Sequence, residues 1–388
     1  MIRAGIQADD LTGACDTGGA FAARGLPTLV LLPDTAIPSP PPEILVLDTE
    51  SRGRPASEAR AQAHAAAVQL AARSPALLYK KVDSTLRGAV AAELGGALEG
   101  AGRLRVILAP AFPAQGRTVV EGILRIDDRP ATETAIARDP GFPPTGASVL
   151  ALLGVGGPHP VSPVPLATVR RGPAAVATRL ARSTGSLVCD AESDADLAVL
   201  ATATEGIPSL LAGSTGFATA LAARLTGVSA QPAARPRRPL LVVSGSAHPA
   251  TRAQMARLET RGLPGTWLGS ETADDRLAPG GAFLAAYPEP ANTDTPGREA
   301  MAVRLAEATR QRLERDAPRT LLLTGGETAY SVCRALGVTG IALAGQVEPG
   351  LAIGALLGGP FAGLGVITKA GGFGDPDTLV RVYEGATR

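Results

Sequence analysis

Short apolar runs with strand character alternate along most of this chain with alanine-rich stretches at helical spacing, and that alternation admits few folds. Arg3–Ala8, Thr28–Leu32, Ile44–Leu47, Ala76–Lys80 and Leu104–Ala109 read as strands, followed by Ser186–Cys189 and Ser209–Ala212. Ala56–Ala72 and Ala175–Arg182 carry the intervening helical pattern. A second series comprises Leu240–Val243, Thr320–Leu323, Gly340–Ala344 and Gly365–Thr368. Between the two series, the SAQPAARPRRP of Ser229–Pro239 has no periodicity and reads as a linker. Such alternation builds parallel sheets with crossover helices. The expected fold class is α/β in two domains, each a largely parallel sheet with flanking helices. The expected boundaries are an N-terminal domain over 1–228, a linker over 229–239 and a C-terminal domain over 240–388. The active site is expected in the cleft between domains, on residues just beyond the carboxyl ends of strands. Residues 265–300, rich in Gly, Pro and Asp, read as surface loops.

Composition excludes several partners. The formal net charge is +1 and aromatic residues make up 3%, so neither a basic field nor a stacking platform for nucleic acid is present. No apolar run reaches the length of a membrane span, and no leader is expected before the first strand. Cys15, Cys189 and Cys333 are dispersed and read as reduced core residues, which makes the cytoplasm the expected compartment. Lys and Arg total 37, yet only Lys80, Lys81 and Lys369 are lysines. A lysine kept against such a bias is wanted as a compact point charge that a planar guanidinium cannot imitate.

The motifs lie where strands end. The first strand runs into Asp9-Asp10, and a helix N-cap accounts for one of these carboxylates but not both. DTESR places Asp48, Glu50 and Arg52 in one loop, with Arg52 able to fork onto a carboxylate. KKVDSTLRG, residues 80–88, supplies cationic donors for a substrate carboxylate and an acceptor for hydroxyls. APAFPAQGRTVVEG marks a constrained loop with Gln115 and Arg117 as candidate ligands. In the second series, SGSAHPAT is a strand, a small-residue turn and a helix start, which is an anion site in chemical terms. His248 within it reads as a turn residue and stays outside the catalytic set. In TGGETAY, Gly325 and Gly326 allow close backbone approach to a phosphate or nucleotide, with Glu327 or Thr328 able to reach ribose or a water on magnesium. In KAGGFGDPDTL, Lys369 and a glycine-rich turn form a candidate phosphate cradle. The Walker and dinucleotide glycine patterns are absent, as are zinc spacing and a nucleophile elbow.

Taken in order, ADDLTGACD, KVDSTLRG, APAFPAQGRTVVEG, SGSAHPAT, TGGETA and KAGGFGDPDTL resemble the four-carbon acid sugar kinase family. The resemblance runs from residue 4 to residue 380, apart from the divergent stretches around 150–185 and 265–300. It implies an N-terminal domain for the sugar acid, a C-terminal domain for ATP, and phosphorylation of the terminal hydroxyl of a tetronate. The implied acid contacts are Asp10, Arg52 and the run Lys81, Val82, Asp83 and Ser84, with Asp9 and Arg87 beside them. The implied nucleotide contacts are Ser244 or Ser246, the turn Gly325, Gly326, Glu327 and Thr328, and Gly371, with Gly372 alongside. The expected mechanism has Arg52, Lys81 and Arg87 holding the carboxylate while Asp10 and Asp83 orient hydroxyls. Asp10, by preference over Asp83, takes the proton. Lys369 and the glycine turns hold the triphosphate, Mg2+ bridges its oxygens, and domain closure keeps water out. The partners are thus ATP and a small sugar acid, with no nucleic acid and no membrane, and a homodimer is compatible with the reading. The rival readings are a sugar-acid epimerase or aldolase, or a non-catalytic sensor, neither of which explains the second domain's glycine turns.

Overall fold

The computed structural model describes residues 2–139, 141–154, 160–183, 185–231, 233–268, 282–286 and 295–387. Two compact units emerge: Met1–Thr28 with Ala36–Gln231, and Leu29–Thr35 with Pro232–Arg388. The chain opens with β1 (Ala4–Ala8), α1 (Leu11–Ala22), β2 (Thr28–Leu31) and β3 (Ile44–Asp48). There follow α2 (Ala56–Ala71), β4 (Leu77–Lys81), α3 (Val90–Gly100) and β5 (Val106–Ala109). A small sheet of its own joins β6 (Arg117–Val120), β7 (Ile123–Ile126) and β8 (Arg129–Pro130). Next come α4 (Val149–Gly154), β9 (Val161–Val164), α5 (Leu166–Val169) and α6 (Pro173–Arg182). The unit ends with β10 (Ser186–Cys189), α7 (Asp194–Ala203), β11 (Leu210–Gly213) and α8 (Thr215–Thr226).

Its main sheet runs β3-β1-β4-β11-β5-β10-β9, parallel at every step. The strands β1, β3, β5, β10 and β11 are buried at every position, as parallel strands covered on both faces must be. Register decides what gathers at the sheet's end. Ala8 on β1 pairs with Asp48 on β3 and with Lys81 on β4, so three chain turns leave the sheet on one level. Those turns carry Asp9-Asp10, DTESR and KVDSTLRG.

The second unit contains β12 (Leu240–Ser244), α9 (Pro249–Thr260), β13 (Gly265–Trp267), β14 (Phe283–Ala285) and α10 (Thr295–Asp316). It continues through β15 (Thr320–Thr324), α11 (Gly326–Ala335), β16 (Gly340–Glu348), β17 (Leu351–Leu357), β18 (Gly365–Lys369) and α12 (Thr378–Glu384). Its strand order is β13-β14-β12-β15-β18-β17-β16-β2. The first five strands are parallel, whereas β17 is antiparallel to both neighbours. Here β2 is a surprise, because a segment from the N-terminal part of the sequence packs with this unit, Leu32 N donating to Thr339 O at 3.1 Å. The stretch expected as loops over 265–300 holds β13, β14 and the start of α10, while 269–281 and 287–294 lie outside the described residues. Among the described residues no helix is long and apolar enough to cross a membrane.

One buried contact in the first unit carries a stability prediction. Lys80 and Glu93 are 0% and 1% exposed, and their ion pair closes at 2.9 Å. Removing one member strands the other charge, which costs about 3–5 kcal/mol, whereas an apolar pair of similar volume is often neutral. Glu93→Leu is therefore expected to destabilise by that amount, and Lys80→Met/Glu93→Leu to recover most of it. Urea unfolding followed by circular dichroism checks the cycle; a double variant no better than the single one would contradict it.

Candidate active site

The turn after β1 becomes α1 through Asp10, whose Oδ1 accepts from Gly13 N at 2.9 Å as an N-cap. Thr12 Oγ1 donates to Oδ2 of the same carboxylate at 2.7 Å. Arg52 then forks onto it, Nη1 to Oδ2 and Nη2 to Oδ1, both at 2.8 Å, and places Nε 2.6 Å from Asp9 Oδ2. Ser51 N and Arg52 N also donate to Asp9 O, so the loop after β3 is laid over the end of β1. Beneath it Ser51 Oγ donates to Glu93 Oε1 at 2.6 Å, which joins the loop to the Lys80 pair.

The third turn folds around Asp83. Its carboxylate accepts from Arg87 Nε at 2.8 Å and Nη2 at 3.0 Å, and from the Thr85 hydroxyl. Lys81 Nζ donates to Val82 O at 2.6 Å, and a side chain on Gly13 would sit 3.1 Å from that ammonium. Lys81, Val82, Asp83 and Ser84 are all buried. Gln115 lies in a short 3-10 turn and its carbonyl accepts from Arg117, so this expected pair of ligands is partly spent on itself.

Charge is distributed unevenly over this pocket. Burial alone would raise Asp9, but Arg52, Lys80 and Lys81 outweigh it and hold the group below its ordinary value. Burial also pushes Asp83 upward, and Arg87 with Arg52 overcomes it, leaving this carboxyl well below the usual range. Asp48 and Glu50 go the other way. Burial raises both well above the ordinary range, and neighbouring carboxylates add to the effect. Glu50 also sits at φ 44°, a left-handed conformation uncommon outside glycine. Asp9 Oδ1, Asp48 Oδ2 and Glu50 Oε2 are buried and meet no hydrogen-bond partner among the described residues. Among the described residues no three acidic, histidine or cysteine groups are arranged to hold a metal ion.

In the second unit three strand-end turns meet. A side chain on Gly245 would collide with Thr328 Oγ1, and one on Gly371 would lie 2.2 Å from Ser246 Oγ. Gly325, at φ 100°, lies against Ser246, and Gly372 against His248. Thus Ser246, Gly325, Gly326, Thr328, Gly371 and Gly372 are brought together. Ser244 is different: it is fully buried at the end of β12, in register with Thr324. Glu327 stands exposed on the first turn of α11.

Lys369 departs from its expected place facing the triphosphate. It is 0% exposed, and its ammonium points under the turn, 2.9 Å from Ala370 O, 3.4 Å from Gly371 O and 3.5 Å from Thr251 Oγ1. Burial pushes its pKa down to about 7. Thr251 Oγ1 donates to Gly371 O at 2.7 Å. Gln254 Nε2 donates to Phe373 O at 3.0 Å and Asp375 O at 2.9 Å. Sequence reasoning gave no role to Thr251 or Gln254. The signal was available: two polar residues share the apolar stripe of α9 with Met255 and Leu258, and all four are buried.

Comparison with known proteins finds two matched domains. Residues 4–221 match a sugar-binding N-terminal domain and residues 283–379 a nucleotide-binding C-terminal domain. The chain is 38% identical to a D-threonate kinase of Bordetella bronchiseptica, over 98% of this chain and 96% of the relative. It is 34% identical to a D-threonate kinase of Salmonella typhimurium, over 96% of each. A Bordetella bronchiseptica crystal structure of a domain of unknown function, a domain-swapped dimer with bound citrate, matches at 35% identity and a TM-score of 0.51. That match covers 100% of this chain and 99% of the other. With both domains matched in order and relatives this similar over nearly the whole length, the chain belongs to the four-carbon acid sugar kinase family.

Proposed function

We propose that this protein transfers the γ-phosphoryl group of ATP to the C4 hydroxyl of a four-carbon sugar acid, with D-threonate the first substrate to test. The observation that carries the transfer reading is the turn over Lys369–Asp375. Its carbonyls at 370, 371, 373 and 375 are taken by side-chain donors. The amides of Gly371, Gly372 and Gly374 have no acceptor among the described residues. A turn so sorted offers N–H groups to an anion, and polyphosphate is the anion such turns suit. Ser246, Gly325, Gly326 and Thr328 complete the cradle. Magnesium neutralises triphosphate charge when bound. Phosphate oxygens and Glu327 would hold it here, a donor set of the hard oxygen type that this ion prefers.

In the first unit the guanidiniums are not free cations, since each already carries an internal carboxylate. Each keeps unspent N–H donors, because a guanidinium has five and three have acceptors here. Arg52, Lys81 and Arg87 hold the substrate carboxylate through those remaining donors. Substrate hydroxyls are met by the open oxygens of Asp9, Asp48 and Glu50.

The proton needs a different acceptor from the one expected. Both oxygens of Asp10 are filled by Arg52, Gly13 and Thr12, which leaves none open to a substrate proton, and Asp83 is held strongly ionised by its arginines, so both serve as anchors. Glu50 has an open oxygen and a pKa raised well above the ordinary carboxylate range, the direction that favours a general base. The O4–P bond forms as the bond from Pγ to the bridging oxygen breaks, ADP leaves, and the O4 proton passes to Glu50. A homodimer is compatible with this reading, a relative having been solved as a domain-swapped dimer.

ADP release with D-threonate, D-erythronate and 3-oxotetronate tests the activity, and no turnover of any tetronate would overturn it. The neutral polyol of the same length should be poorer by about 10³ or more in kcat/KM, since buried donors would be left unpaired. Comparable values for erythritol and erythronate would remove the carboxylate pocket. As a base, Glu50 must be ionised, and its raised pKa moves that ionisation upward. The acidic limb of the pH–kcat profile is therefore expected above the ordinary carboxylate range, with activity rising as pH rises through it. Glu50→Gln should lower kcat by roughly 10²–10⁴ and abolish that limb. A variant that keeps the limb would return the proton to another group.

A further inference from the structure

Four backbone carbonyls in six residues face buried side-chain donors in the second unit, and this is unusual for a surface turn. Glycine-rich segments are conformationally permissive, so nothing in KAGGFGD itself selects one backbone arrangement. The selection comes from below. Thr251, Gln254 and Lys369 are each 0% exposed, and they offer donors at 2.7–3.0 Å to Gly371 O, Phe373 O, Asp375 O and Ala370 O. Thr251 and Gln254 stand three residues apart on α9, hence on one face of the helix. That helix is set in turn by its own N-cap, where His248 Nδ1 accepts from Ala250 N at 3.2 Å.

From this arrangement we propose that Thr251, Gln254 and Lys369 are positioning residues for the nucleotide: they draw the carbonyls of the 370–375 turn inward and so keep its glycine amides outward. The inference rests on reading this turn as the phosphate cradle. It removes Lys369 from direct contact with phosphate and gives the ammonium a backbone-bracing role. The hydroxyl of Thr251 is a link in the same chain, donating to Gly371 O and lying 3.5 Å from the Lys369 amine. Charge is not what the turn needs from these three; the need is for donors to its main-chain oxygens. A carbonyl turned outward would set a negative dipole against the phosphate and remove an amide from it. Ser246 Oγ, close against Gly371, limits lateral movement of the same segment.

The test measures ATP affinity by calorimetry and KM for both substrates in wild type, Thr251→Val, Thr251→Ser and Gln254→Glu. Thr251→Val keeps the shape and loses the donor, and the expected result is an ATP Kd about tenfold weaker, as for one lost hydrogen bond. Thr251→Ser restores the donor and should return affinity to within about twofold of wild type. Gln254→Glu replaces a donor by an acceptor facing two carbonyls, with a loss on the order of 100-fold expected. KM for the sugar acid should stay unchanged in all three. A role confined to packing would lower Tm in Thr251→Val without this split between substrates and without serine rescue. Should Thr251→Val fail to fold, Thr251→Cys, with its weak donor, takes its place under the same criterion. Wild-type ATP affinity retained in folded Thr251→Val and Gln254→Glu would overturn the inference while leaving the kinase reading intact. A wild type that binds no ATP would overturn that reading and this inference with it.

Discussion

The strand-end cluster of the first unit depends on one guanidinium. Parallel register forces two consecutive aspartates into a buried corner, where by themselves they repel each other and lose solvation. Arg52 answers both at once, with Nε on Asp9 and its fork on Asp10. Because Asp10 is also the cap of α1, the same contact ties the helix start, the end of β1 and the loop after β3 into one rigid unit. Gly88 completes the fit, since a side chain there would come within 3.1 Å of Arg52 O. Buried ion pairs of this kind add little net stability against an apolar alternative. What they do here is make one placement of Arg52 much better than any other.

The second unit solves a related problem with dipoles. In the proposed reading, the work of attracting an anion falls there to peptide groups whose orientation must be chosen. A buried ammonium, a hydroxyl and a carboxamide make that choice by occupying carbonyls. The low pKa of Lys369, about 7, follows from burying an ammonium, whose neighbours there are carbonyl oxygens and a hydroxyl. The first unit thus relies on opposed full charges and the second on sorted backbone polarity, and each suits the ligand proposed for it.

Much of this was legible in the sequence, for reasons that can be named. Strand–helix alternation and residues after strand ends located Asp9, Asp10, Arg52, Asp83 and the glycine turns without any knowledge of contacts. Long-range partnering was not legible. Arg52 and Asp10 are 42 residues apart, and nothing local says that the arginine serves the aspartate before it serves a ligand. Nor does the sequence show how many donors already fill the oxygens of Asp10. The β6–β7 hairpin reads as a constrained loop from its Pro and Gly spacing, whereas the structure has two strands of four residues each, joined through Glu121 and Gly122 at positive φ. β2 joined the wrong unit in a linear reading, since strand character does not reveal which sheet a strand enters.

The arginine bias has a chemical consequence beyond either ligand. The chain has three lysines, and Lys80, Lys81 and Lys369 are 0%, 5% and 0% exposed. Every other cationic side chain that reaches solvent is a guanidinium or an imidazole. Amine-directed chemistry, whether acylation, carbamylation or isopeptide tagging, therefore meets no lysine handle on the folded surface. An acyl group found on any of the three would record that the strand end bearing it had opened, so side-chain amine reactivity in this protein is a clock for local unfolding.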